Sequence, residues 1–410
     1  MRKRGFWLGF LLILFLTLGW WVSPVAAMTE EQQLLSEAWR IVNRAYLDET
    51  FNHQNWWLIR QNALKQSLVD REATYKAIAK MLATLEDPFT RLLKPEQYKS
   101  LQVNTSGELT GIGLQIASDP ETGYIEIVAP IEGSPAEKAG LKPRDLILKI
   151  DGVSTMGLSL DDAAAKMRGP IGSSVTLTVQ RKDPPTALEV DIKRDRIALN
   201  PVEFDLRITN SGIPIGYIRL SQFNANAPAE VAHAIDKLEQ QGAKAYILDL
   251  RNNPGGLLQA AVEVARLWLD SGTVVYTVNR QGVLGSFEAN GEALTNDPLV
   301  LLVNQGTASA SEILAGALQD NGRAKLVGEK TFGKGLIQSL FDLSDGSGLA
   351  VTVAKYETPN HRDIHKLGIF PDKVVPLAPL SRNQLATEND PQFQAAVELL
   401  TKESVLAGTL

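Results

Sequence analysis

The sequence predicts a multidomain α+β protein, with a helical N-terminal region, a small mixed barrel and a layered α/β core. Three observations carry that reading. From Met28 to about residue 100, apolar side chains recur at three and four positions, as in LLSEAWRIVNRAY and YKAIAKMLATL, the period of a helix that buries one face. Residues 105–185 instead crowd strand-like stretches around a single helical segment. After them, apolar runs of strand length alternate with helical stretches, as in a sheet covered on its faces. A chain of 410 residues, 44% hydrophobic and 21% charged, is long enough to bury more than one core and too polar for a multi-span membrane protein.

Residues 1–27 read as a signal peptide. Arg2, Lys3 and Arg4 precede an uncharged apolar run from Gly5 to Val22, and Val25-Ala26-Ala27 offers the small residues needed for cleavage after Ala27. The run also reaches the lower length of a spanning helix, so membrane association through an uncleaved leader stays open. Either way the remainder is exported, the positive flank staying behind. Without the leader the charge is 41 − 3 = 38 basic against 47 acidic residues, or −9, which disfavours nucleic acid and anionic membranes as partners.

The helical region spans 28–104. Asp87-Pro88 interrupts it, DPFTRLLKPEQY with its two prolines is expected to end it, and VNTSGEL is polar enough for a linker. Residues 105–185 follow, with GIGLQIA, YIEIVAP, LILKIDG and SVTLTVQR as strands, SLDDAAAKMRG as the helix and Asp183-Pro184-Pro185 as the exit. In the core, residues 186–378, the strands are IGYIRL, AYILDL, PLVLLV and KLVGEK. Its helices are PAEVAHAIDKLEQQ, LLQAAVEVARLWL and SASEILAGALQD. Residues 379–410 form a polar tail with one helix in DPQFQAAVELLTKE.

With no cysteine and only four histidines, nucleophilic chemistry falls to hydroxyl, lysine and carboxylate groups, and nothing calls for a cofactor. VNQGTASASEILAGALQD sets small residues between a buried strand and an apolar helix, a turn that exposes a side chain beside free helical N–H groups. Ser309 there reads either as a nucleophile or, with Glu312, as a capping box. In GEKTFGKGLIQSL, Lys334 lies between two glycines ahead of an apolar strand. Burial weakens an ammonium's hold on its proton, which is what a lysine needs to act as base toward a serine hydroxyl. Gln338, four residues on, is placed to hold the amine. Asp249 and Arg251 end a buried strand and read as a structural ion pair.

Two competing motifs fail on their own terms. Gly328-x-x-x-x-Gly333-Lys334 nearly spells a phosphate loop, but Gly335 stands where Ser or Thr would ligate magnesium, and a strand pattern follows where a helix is required. No nucleotide is expected. His361 and His365 have the spacing of metal ligands without a third ligand nearby, so they read as solvated and no metal site is assigned.

LTGIGLQI, GSPAEKAGLKPRDLILKIDGV and the helix leading into MRGPIGSSVTLTV together resemble a PDZ domain. Gly111 and Gly113 let the loop turn N–H groups toward a carboxylate, and the next strand edge can pair with an extended peptide. Gly111, Ile112, Gly113 and Leu114 are the expected contacts, for a protein with a free, apolar C-terminus. Arg168 reads as a further carboxylate contact or as a solvated arginine.

GTASASEI, TFGKGLIQ, LDLRNNPGG, the preceding PDZ unit and DPFTRLL resemble the carboxyl-terminal processing proteases, a serine-lysine peptidase family, over nearly all of residues 30–378. The resemblance implies Ser309 as nucleophile, Lys334 as base, Gln338 orienting the lysine, and the amides of Ala310 and Gly255 as oxyanion hole. NHQNWWLIR, RLSQFNANA and HKLGIFPD are similar to the cyanobacterial and chloroplast branch, which trims the photosystem II reaction-centre precursor in the thylakoid lumen. The expectation is a serine endopeptidase, in the thylakoid lumen or periplasm, that removes C-terminal extensions from protein substrates. The alternative is a PDZ adaptor with an inactive core. The joint presence of Ser309, Lys334 and Gln338 favours the enzyme.

Overall fold

The computed structural model describes residues 28–406 other than 132, 183–184, 210–211, 377–379 and 382–383. The expected signal peptide, Asp183-Pro184 and the boundary at 378 lie outside those residues. The chain divides into two units, one of residues up to Glu96 with Gln338–Thr352, the other of Gln97–Ile337 with Val353–Leu410.

In the first unit, Thr29 and Gln32 cap the helix Glu30–Ala45 reciprocally, and Leu34, Leu35, Ala38 and Val42 are buried at the expected spacing. Asp70 accepts the Ala73 amide at 2.7 Å to start the helix Arg71–Ala83. DPFTRLL supplies the strand Arg91–Leu93, paired antiparallel with Gly348–Ala350. The distant segment 338–352 belongs here: the Leu47 N–H donates to the Thr352 carbonyl at 2.8 Å, and the Tyr75 hydroxyl to Asp345 at 2.7 Å.

The segment expected to end the helical region starts a further helix, Pro95–Ser106. Proline suits a first helical turn, where the missing N–H has no partner to lose. The expected linker residues VNTS form that helix's last turn.

In the second unit, Leu114–Ser118, Ile125–Pro130, Leu146–Ile150 and Ser174–Lys182 pair in that order as an antiparallel sheet. The sheet shares a core of Ile112, Ile127, Ile147, Val175 and Leu177 with Ala163 and Met167 of the helix Leu160–Met167. Pro185–Lys193 pairs along the whole of Ser174–Lys182 and extends the sheet past the expected exit.

The second sheet of this unit runs Val202–Ile208, Pro214–Leu220, Ala245–Asp249, Leu299–Val303, Lys325–Gly328 and Lys373–Val374, parallel from its second strand onward. Successive side chains take opposite faces. Tyr246, Leu248, Leu299 and Leu301 pack with the helices Ala227–Gln240, Leu258–Arg266 and Ala310–Asp320. Ala245, Ile247, Val300 and Leu302 pack with Phe393, Ala396 and Leu400 of the terminal helix Pro391–Leu406, so the tail of the sequence supplies the second face.

Below the end of Ala245–Asp249, Arg251 is buried to 2% exposure and donates to Asp249 at 2.6 Å and Asp390 at 2.8 Å. Burial works against the guanidinium charge, but the two carboxylates outweigh it and raise the pKa above its ordinary value. Asp390→Ala removes one counter-charge from a dry site and is expected to lower the unfolding free energy by about 3 kcal/mol in urea titration. A loss below about 1 kcal/mol, the size of an exposed pair, would mean that Asp249 and Gln392, which accepts from Arg251 at 3.2 Å, satisfy the arginine without Asp390.

Candidate active site

Leu299–Val303 leads through a turn of small residues to Ser309, and the helix Ala310–Asp320 begins at the next residue. Ser309 has φ 56° and ψ −117°, backbone that a side-chain-bearing residue holds only when its surroundings enforce it. The enforcing group is Glu312. Its side chain reaches back to the Ser309 N–H at 2.9 Å, as a capping box requires, and one oxygen also takes the Lys334 N–H at 2.8 Å. The other oxygen takes the Gly333 N–H at 2.7 Å and the Thr331 hydroxyl at 2.5 Å. Glu312 has no exposed surface. One buried carboxylate thus joins the backbones of Ser309 and Lys334, both half-buried residues.

The NPGG turn abuts this joint. Gly255 has φ 94°, and a Cβ on it would lie 2.8 Å from the Ala310 nitrogen and 2.9 Å from Ser309 Cβ, so only glycine permits the approach. The Ala310 N–H belongs to the first helical turn, whose amides the helix itself does not use. The Gly255 N–H, expected as the second oxyanion donor, donates to Asn253 Oδ1 at 2.9 Å. Ser311 is fully buried and donates to the Asn253 carbonyl at 3.0 Å, which fixes the same turn.

Gln338 lies on the strand Leu336–Asp342, just past the division between the units, and its amide donates to Thr352 Oγ1 at 3.4 Å. That strand stands where a phosphate loop would have a helix. His361 meets Glu357 at 3.1 Å and stacks on Tyr276 with centroids 4.2 Å apart.

The carboxylate loop is assembled around Gly113, whose φ is 78° and whose Cβ would fall 2.4 Å from Ser134 Cβ. The Ile112 carbonyl accepts the Ala136 N–H at 2.8 Å, and the Gly113 carbonyl accepts the Ile131 N–H at 3.0 Å. With its carbonyls tied to the 131–136 turn, the loop turns its amides the other way. Ile112 is buried in the core of its sheet, and Leu114 opens the edge strand. Arg168 brings its Cγ within 3.7 Å of where a Gly111 Cβ would be, so the five residues expected to bind peptide are neighbours.

A model of Peptidase family S41 matches residues 214–375, and one of the PDZ domain matches residues 126–181. The carboxyl-terminal-processing protease of Synechocystis sp. is 62% identical over 402 residues, covering 98% of this chain and 94% of that one. The chain belongs to the carboxyl-terminal-processing proteases. Carboxyl-terminal-processing peptidase 2, chloroplastic, of Arabidopsis thaliana is 48% identical over 364 residues, which are 86% of this chain and 70% of its own. A solved structure titled photosystem II D1 C-terminal processing protease is 41% identical, with TM-score 0.58 over 89% of this chain and 100% of that one. The family member described here is accordingly a serine protease that processes protein substrates, built as the multidomain α+β arrangement of PDZ domain and protease core that its sequence predicts. Among the described residues, no helix is long and apolar enough to cross a membrane.

The four-donor role of Glu312 was not legible as such. The available signal was a carboxylate inside the apolar helix SEILAGALQ, where a buried charge requires partners from elsewhere. In Glu312→Gln, one carboxylate oxygen becomes an NH2 donor facing N–H or O–H donors. That change is expected to cost about 1.5–3 kcal/mol in denaturant titration, the value of a hydrogen bond to a charged group. A change under about 0.5 kcal/mol, the size of an ordinary surface substitution, would show that the clasp is dispensable.

Proposed function

We propose that Ser309 and Lys334 are the nucleophile and general base of this protease, and that it removes C-terminal extensions from exported substrates. The single observation that carries the reading is the Glu312 carboxylate, which takes N–H groups from both residues. On this reading, Lys334 accepts the Ser309 hydroxyl proton as Oγ attacks the scissile carbonyl. The Ala310 N–H, and the Gly255 N–H once it exchanges Asn253 for the substrate, face the oxyanion. The tetrahedral intermediate then expels the amine, which leaves with the proton from the lysine, and water hydrolyses the acyl ester. Gln338 orients the lysine amine.

The expected substrate is a protein with a free, apolar C-terminus, held by Gly111, Ile112, Gly113 and Leu114, with Arg168 beside the carboxylate. The likeness to cyanobacterial and chloroplastic processing proteases supports the photosystem II reaction-centre precursor as that substrate, and the thylakoid lumen or periplasm as the location.

Cleavage of a peptide with an apolar free C-terminus, followed by mass spectrometry, tests the chemistry. Ser309→Ala and Lys334→Ala are each expected to abolish turnover while peptide binding persists, and Ser311→Ala to retain turnover. Turnover by Ser309→Ala with loss in Ser311→Ala would move the nucleophile. Amidating the peptide's C-terminus is expected to weaken its binding to the whole protein about tenfold or more, since a hydrogen bond to a charged group contributes about 1.5–3 kcal/mol. Equal affinity for acid and amide would remove the carboxylate loop from recognition and leave the serine-lysine assignment standing.

A further inference from the structure

Tyr356 lies near the end of the strand Gly348–Glu357 and is buried to 1% exposure. Its ring is set in place by backbone: its strand pairs with Thr277, and its N–H donates to the Gly335 carbonyl at 3.1 Å. The hydroxyl then shares its one proton between two carbonyls, Lys334 at 2.6 Å and Ser309 at 3.0 Å. These belong to the same two residues whose amide nitrogens Glu312 holds. An acceptor thus clasps the N–H side of the pair and a donor clasps its C=O side.

We propose that Tyr356 is a positioning residue of the protease, whose hydroxyl fixes the Ser309–Ala310 peptide and the Lys334 backbone relative to each other. The inference rests on the assignment of Ser309 and Lys334 made above. The Ser309 carbonyl and the Ala310 N–H belong to one planar trans peptide and point in opposite directions. Pinning the carbonyl therefore aims the N–H, and at this turn that N–H faces the proposed oxyanion. The Glu312 and Ile313 amides also donate to the Ser309 carbonyl, at 2.8 and 3.0 Å, so loss of the phenol loosens the peptide without freeing it. At the Lys334 carbonyl the phenol makes the shorter of its two bonds. Burial, and then the Glu312 and Asp363 charges, raise the phenol pKa well above its ordinary value, which keeps the hydroxyl protonated as a donor.

The test is Tyr356→Phe in the full chain, which keeps the ring and removes only the oxygen. Because the hydroxyl acts on the aim of groups used in the transition state, kcat is expected to fall about tenfold with KM within about twofold. The loss is smaller than the roughly hundredfold or greater drop when an oxyanion donor itself is removed. Labelling of Ser309 by a fluorophosphonate is expected to slow in parallel, and affinity for a C-terminal peptide to stay unchanged. Replacing Tyr356 with 4-aminophenylalanine restores an N–H donor at the same point and is expected to return kcat to within about threefold of the original, a small change on the scale of losing a donor outright. Unchanged kcat in the Phe variant would overturn the inference, as would equally slow Phe and aminophenylalanine variants. If the unaltered protein were not labelled at Ser309, the nucleophile assignment itself would fall, an outcome distinct from either of these.

Discussion

A carboxylate with no exposed surface is stable only if its surroundings replace the water it gave up, and Glu312 shows how far that requirement reaches. Four donors surround it: the Thr331 hydroxyl and the amides of Ser309, Gly333 and Lys334. They come from two segments separated by a helix and a strand, so charge satisfaction and site assembly are one event. Its place in the first turn of Ala310–Asp320 adds the favourable end of that helix's dipole. Any arrangement that parts the two segments strips donors from a buried anion, a cost of several kcal/mol that closes off alternatives.

A second dry charge supports the neighbouring turn. Arg251, two residues beyond the strand Ala245–Asp249, is satisfied by Asp249 and Asp390, and Tyr217 donates to Asp249 at 2.7 Å. Asn253 follows, giving its amide N–H to Leu250 and its side chain to the Leu220 carbonyl at 2.8 Å. Thus the turn that carries Gly255 close to Ser309 is anchored below by a residue from the terminal helix segment. The tail is structural support for the core sheet and, through Asp390, for this turn.

What the sequence disclosed followed local physics. The period of three and four placed the N-terminal helices, the continuous apolar runs placed the parallel strands, and LIQSLFDL after Gly333-Lys334-Gly335 read correctly as a strand. What it did not disclose depended on partners far along the chain. Nothing near Gln338–Thr352 announces that this segment belongs with helices near residue 40, because strand Arg91–Leu93 and the hydroxyl of Tyr75 decide it. Pro95 reads as a stop in the sequence but is a start, since a proline at a first turn and one past a last turn look alike without the fold. At the site, Ser309 and Lys334 were visible as residue types in glycine-rich context. Of the two groups that tie them together, the carboxylate is visible only as a capping residue, and nothing local singles out the phenol, whose strand Gly348–Glu357 is set by distant pairing.

On the proposed reading, two loops of this unit do related work with backbone N–H groups. Near Gly113 the carbonyls are tied back to the 131–136 turn, and the amides are left for a carboxylate that is charged before it arrives. At Ala310 the amide is aimed at an oxygen that becomes an anion only during the reaction. Interaction energy at the first loop stabilises ground state and transition state alike, so alone it improves affinity and leaves kcat unchanged. Interaction at the second appears only as the tetrahedral oxyanion forms, and there small errors in aim are costly. This difference fits a Ser309 turn held from both sides by the buried groups Glu312 and Tyr356, and a carboxylate loop of buried residues held by its carbonyls, with the exposed Arg168 beside it.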